Sequence, residues 1–292
     1  MPEWQGTSRG KPWGYRIFVG ILRRWGVKPA YILLRFVAFY YFLFSYKSSK
    51  NVLTYFRRKI GYGPVKSLIK LYRNYYLLGQ SIIDKVVIMS GIPNKFTFEF
   101  DGEEHLRQIS GLQKGGLLLS AHLGNWEIAG HLLKRLDTRI NIVMFDGEDR
   151  QIKEYIAGVT GKRQVNVILI KNDLSHIYAI SDAFSNNELV CIHADRFVEG
   201  NKTLSSEFLG EKARFPMGPF ILAAKFKVPV SFVFAMKESP LHYHFFASEI
   251  KDYSHLSKDV LMQQMLDDFV GEMEKKVKKY PEQWYNYYNF WQ

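Results

Sequence analysis

Cysteine is almost absent: Cys191 stands alone among 292 residues. An intramolecular disulfide is excluded, and so is a cysteine-based metal cluster. Such usage suits a reducing compartment. No G-x-S-x-G elbow occurs, so a serine hydrolase of the α/β type has no nucleophile turn. No P-loop and no G-x-G-x-x-G lies in a strand-to-helix context, so no nucleotide cofactor is expected. There is no RNP motif, zinc-finger spacing or glycine-rich basic tail, and nucleic acid is not an expected partner. Internal repeats and low-complexity linkers are missing too. No small-residue cleavage site follows the first apolar stretch, which argues against a signal peptide.

What is present is apolar, aromatic and basic. Hydrophobic residues make up 47% and aromatics 16%, and the formal net charge is +12. That charge fits an anionic membrane surface or nucleic acid. Basic residues beside aromatic stretches favour the membrane. Gly14 to Trp25 reads as a short amphipathic helix carrying Arg16, Arg23 and Arg24, broken by Gly26 to Pro29. Tyr31 to Tyr46 is almost wholly apolar, with Arg35 its one charge. It falls short of the ~20 residues that cross a bilayer as a straight helix, and its Tyr and Phe content suits the headgroup boundary. Residues 13–46 are therefore expected to dip into, or marginally span, the cytoplasmic leaflet; the alternative is a buried core helix. We divide the chain into an anchor region, 1–50, and a domain, 51–292.

Helical spacing runs from Leu53 to Ile88, broken near Gly61 to Pro64. Strand and helix signals then alternate. Strands are predicted at Phe96–Phe100, Leu117–Ser120, Ile140–Phe145, Val165–Ile170, Leu189–Ala194 and Val230–Phe234, with an edge strand at Leu241–Ala247. Helices are predicted at Glu103–Gly111, Trp126–Arg135, Asp149–Thr160, Leu174–Asn186, Gly218–Phe226 and Val260–Val277. This rhythm predicts an α/β fold, a mostly parallel sheet flanked by helices. The last segment packs six aromatics between Trp284 and Trp291, and is expected to seek the membrane.

The densest chemistry lies in Gly115 to Gly130. His122 follows a strand and Glu127 opens the next helix. On one continuous helix the two would point about 140° apart. With Gly124 and Asn125 as turn and cap, the imidazole can fold back onto the carboxylate. A carboxylate partner fixes the tautomer and stabilises the imidazolium of a general base. Backbone N–H groups near Gly124–Trp126 would face a developing oxyanion. The bland alternative is a surface His beside an ordinary first-turn acid. His242-Tyr-His244 puts two imidazoles on one strand face, but no third ligand is evident, and no metal is expected.

His122-Leu-Gly-Asn-Trp-Glu127 resembles the HxxxxD/E motif of glycerolipid-type acyltransferases. More specifically it resembles the lipid A late acyltransferases. Phe208-Leu-Gly210 with Pro216, Gly218 and Ala223, and the ending Pro281-Glu-Gln-Trp284, are similar to that family's later segments. The resemblance implies a glycerolipid acyltransferase-like fold with an N-terminal membrane anchor. It implies acyl transfer from an acyl carrier protein or coenzyme A thioester to a hydroxyl of a lipid acceptor, with no cofactor. It places the chain at the cytoplasmic face of a bacterial inner membrane. His122 and Glu127 would be catalytic. Arg163, Asp195, Arg196, Asn125 and Gly124 would bind substrate. The family's usual basic tail is replaced here by aromatics, which leaves open an amino-acid or other lipid acceptor. A non-catalytic membrane-binding protein of the same fold is the alternative of another class.

Overall fold

A computed structural model describes residues 12–126, 128, 136, 138–145, 166–170, 173–198 and 200–291. Helices α1 (Pro12–Trp25) and α2 (Val27–Phe44) meet at Gly26, whose φ of 79° lets the chain turn between them. The break is this one glycine; Pro29 already lies inside the first turn of α2, where its missing N–H costs nothing. Helix α3 (Tyr46–Thr54) runs on into a π-helical turn, Tyr55–Lys59. Pro64 then occupies the first turn of the long α4 (Pro64–Met89). Strand β1 (Thr97–Asp101) and α5 (Glu103–Gly111) lead to β2 (Gly116–Ser120), β3 (Ile140–Phe145) and β4 (Asn166–Ile170). Next come α6 (Ser175–Ser185), β5 (Leu189–His193) and a hairpin of β6 (Thr203–Phe208) and β7 (Glu211–Pro216). The order closes with α7 (Gly218–Phe226), β8 (Val230–Ser239), β9 (His242–Ala247) and α8 (Lys258–Lys279).

Seven strands form one sheet in the order β1-β9-β8-β2-β5-β3-β4. Every pairing is parallel except β8 with β9. The fold is thus α/β with a mostly parallel sheet. Strand β2 sits in the middle, fully buried, as its unbroken Leu117-Leu118-Leu119 run requires. Because side chains alternate along a strand, Leu117 and Leu119 join the core with α6, α7 and α8, while Leu118 packs with Leu106 and Ile109 of α5. Helix α8 buries Met262, Met265, Leu266, Phe269, Val270, Met273 and Val277, the face its spacing predicts.

Two expectations change. Strand β9 is not an edge: β1, more than 140 residues earlier in the sequence, pairs outside it in parallel, Thr97 opposite His242. The aromatic C-terminal segment does not face outward. Trp284 is 1% exposed, within ring contact of Tyr55, Phe208, Phe290 and Trp291. It is core. The predicted helix at Asp149–Thr160 and most of Trp126–Arg135 lie outside the described residues.

Helix α2 buries Val27, Ala30, Tyr31, Leu34 and Ala38, and Tyr31 and Leu34 pack with Ile83, Val86 and Val87 of α4. Its opposite side exposes Ile32, Phe36, Phe39, Tyr40, Leu43 and Phe44. By length and composition the helix could cross a membrane.

Candidate active site

Strands β2 and β5 are parallel neighbours, with Ser120 opposite His193. Two residues beyond each strand end stand His122 and Asp195. The register therefore brings together side chains 73 positions apart, at the carboxyl ends of adjacent strands, where open α/β sheets place their chemistry. His122 Nδ1 lies 2.8 Å from Asp195 Oδ1, and the His122 backbone N–H donates to Asp195 Oδ2 at 3.0 Å. Asp195 is 1% exposed. Burial pushes its carboxyl up, but the neighbouring His122, its hydrogen bond and the Arg196 guanidinium more than offset this. The net result holds it well below the usual carboxylate range. A buried carboxylate bonded to Nδ1 fixes which ring nitrogen carries the proton.

Asp195 thus grips His122 with both oxygens, where it was expected to bind substrate. Sequence spacing could not show this, because the contact exists only through the β2–β5 register. Glu127 and Arg163 lie outside the described residues. Arg196 donates through Nη2 to the Tyr285 carbonyl, which anchors the guanidinium beside Asp195.

The turn after β2 is held from two sides. Leu123 bridges Trp284, the Gly124 N–H donates to the Gln283 carbonyl at 2.9 Å, and the Tyr285 N–H donates to the His122 carbonyl at 3.1 Å. On the other side the Asn125 N–H donates to the Ala235 carbonyl at 2.7 Å. Asn125 is buried, and its Nδ2 donates to the Ser81 carbonyl and the Tyr243 hydroxyl. Gly124 and Asn125, expected to bind substrate, are thus built into the framework of the turn. Their N–H groups each donate to a backbone carbonyl, as does that of Leu123, and that of His122 donates to Asp195.

Gly124 also has a steric reason to be glycine. Its φ is 70°, and a Cβ there would stand 2.0 Å from the Ala235 carbonyl oxygen. Gly124→Val is expected to lose both activity and stability, by about 3 kcal/mol or more. Calorimetric unfolding beside the wild type checks this; an unchanged melting temperature would contradict the contact. This differs from the expectation for a simple surface turn, in which the variant would stay folded.

A residue that sequence reasoning missed stands beside His122. The His193 ring packs edge-on between His122, 4.3 Å centroid to centroid, and Trp126, 4.2 Å. Burial, then the charge of His122, push its pKa well below the ordinary imidazole value, so it stays neutral. Its Nε2 has no hydrogen-bond partner among the described residues. The clue was its position: two residues before Asp195, at the end of β5. His242 and His244 lie on β9, where His244 pairs with Asp101 and Glu238, and His242 approaches Glu99. His176 falls in the first turn of α6.

Residues 73–292 match the model of a family described as bacterial lipid A biosynthesis acyltransferase. No curated protein matches the sequence at a significant level. Among solved structures, the chain is similar to the 1-acyl-sn-glycerophosphate (LPA) acyltransferase PlsC from Thermotoga maritima. The identity is 13%, over 86% of this chain and 98% of that one, with a TM-score of 0.37.

Proposed function

Since the chain belongs to the bacterial lipid A biosynthesis acyltransferase family and is an acyltransferase acting on a lipid acceptor, we propose that His122 is its general base and Asp195 the carboxylate that orients it. The observation that carries this reading is the His122–Asp195 pair at the carboxyl ends of β2 and β5. With Nδ1–H committed to Asp195, Nε2 takes the proton of the acceptor hydroxyl. The oxygen attacks the thioester carbonyl, and the resulting tetrahedral intermediate expels the donor thiolate. The imidazolium returns its proton to that sulfur, so ester and free thiol form with no net proton change. A base placed this way contributes roughly 10²–10⁴-fold in rate. Glu127 would supply a second carboxylate, and Arg163 a cation for the donor's or acceptor's phosphates. The donor is a thioester of acyl carrier protein or coenzyme A; both are anionic, and a net charge of +12 steers either.

The acceptor is met at the inner membrane's cytoplasmic face. Between Glu3 and Asp84 the chain has no acidic residue. The exposed aromatic side of α2 stands among the exposed Arg23, Arg24, Lys28, Arg35 and Lys47. The inner side of α2 is held against α4. The helix therefore lies in the leaflet with its outer side immersed. Replacing both Phe36 and Phe44 with serine should weaken binding to anionic vesicles about tenfold or more, as read by co-flotation. Equal flotation of variant and wild type would contradict this placement.

Lipid mass spectrometry of a deletion strain, complemented with wild type or His122→Ala, tests the function. Loss of one acyl chain from lipid A, restored only by wild type, assigns that acceptor. Intact lipid A with loss of an acylated amino-acid lipid assigns the other. Full restoration by His122→Ala would refute the base, and a purified protein that transfers nothing to any lipid would favour a binding role.

A further inference from the structure

Behind the turn that carries His122 lies a fully buried ion pair that acyl transfer does not use. Asp84 of α4 pairs with Lys237 of β8. The same carboxylate accepts hydrogen bonds from the hydroxyls of Tyr31 in α2 and Tyr243 in β9. Lys237 Nζ also donates to the Tyr31 hydroxyl at 3.0 Å. Four elements meet at one acid. A buried pair of this kind is weak support for stability, because desolvation cancels much of the attraction. Its connections are more telling than its strength.

Two routes lead from the pair to the His122 turn. The Tyr243 hydroxyl accepts a hydrogen bond from Asn125 Nδ2 at 3.2 Å. The Lys237 backbone is clasped by the Gln283 side chain, N–H to Oε1 at 2.9 Å and carbonyl to Nε2 at 2.8 Å. The Gln283 carbonyl in turn holds the Gly124 N–H. The two residues on either route, Gly124 and Asn125, are those that set the path of the turn. At the other end of both routes stands Tyr31, on the inner side of a helix whose outer side is bare.

We propose that Tyr31, Asp84 and Lys237 are positioning residues that transmit the seating of α2 to the His122 turn. The helix is then part of the scaffold of the active site as well as its tether, and what grips its outer side bears on how His122 stands. This rests on the reading of His122 as the base.

The test uses the full chain in detergent, with ¹⁵N-histidine labelling. The His122 ring signal is identified by its loss in His122→Ala. Tyr31→Phe removes one hydroxyl and keeps the ring. It is expected to shift the His122 signal and to lower thiol release from dodecanoyl-acyl carrier protein about tenfold, in kcat with KM unchanged. Tyr243→Phe, which cuts the route on the far side of Asp84, should shift the same signal. Tyr76→Phe is the control. Its hydroxyl also bonds α2, at the Tyr31 carbonyl, yet does not touch Asp84; it should do neither. A His122 signal unmoved in Tyr31→Phe, or moved as far in Tyr76→Phe, would overturn the proposal. If the wild type releases no thiol while the shifts occur as expected, the link stands and the reading of His122 as base falls.

Discussion

Asp195→Asn is expected to slow acyl transfer about 10³–10⁴-fold while the chain stays folded. The carboxylate receives two hydrogen bonds from one residue, the ring and the backbone N–H of His122. An asparagine has one acceptor oxygen. If it serves the backbone N–H, its NH₂ group faces Nδ1 and selects the opposite tautomer, with the proton on Nε2. The nitrogen meant to take the acceptor's proton would then already hold one. Rates of single-turnover transfer, wild type against variant, measure the loss; a loss below tenfold would remove Asp195 from the mechanism. The pH dependence carries the same logic. The folded pKa of Asp195 lies below its unfolded value near 4. Its contribution to stability is therefore present above pH ~4 and is lost only as pH falls through the depressed folded value. Across about pH 5 to 9 Asp195 stays ionised, and the acid limb of the rate profile belongs to imidazole. In Asp195→Asn that limb should move to lower pH, because the imidazolium has lost its counter-charge.

Trp284→Ala should be the most damaging substitution for the fold. Removing a buried tryptophan costs about 3–5 kcal/mol. In a domain of this size that lowers the melting temperature by about 10 °C. Four aromatic rings lose their common neighbour. Activity should fall further than stability alone accounts for, because the backbone of Gln283–Tyr285 holds the His122 turn. Trp284→Phe fills most of the space and should recover most of both. Melting curves and transfer rates for the two variants check this. Equal loss in both would show that ring size is not what matters.

The sheet was legible from local pattern because its central strands are short, apolar and bounded by turns. Leu117–Leu119 and Leu189–Ile192 admit little else. His122 stood out because strand end, glycine and helix start follow one another in sequence. Spacing offered Glu127, five residues on, as its carboxylate, and Glu127 lies outside the described residues. The Asp195 contact was not legible from spacing, because it arrives through a strand register. The hairpin β6–β7 was missed because Thr203–Phe208 and Glu211–Pro216 carry few apolar residues to alternate. Aromatic content misled in the C-terminal segment. Tyr, Phe and Trp suit a membrane boundary and a protein core alike. Only packing separates the exposed Phe36 and Phe44 from the buried Trp284 and Phe290.

The hydrogen bonds of Gln283 and Tyr285 to the His122 turn also set an order of assembly. Synthesis proceeds from the amino end, so α1, α2 and β2 leave the ribosome before the segment that braces the turn. The segment 281–291 leaves after every other described part of the site. A chain still being made therefore carries His122 already translated while its turn is still unbraced. The turn takes its described form only once residues 283–285 have been made and have paired with it.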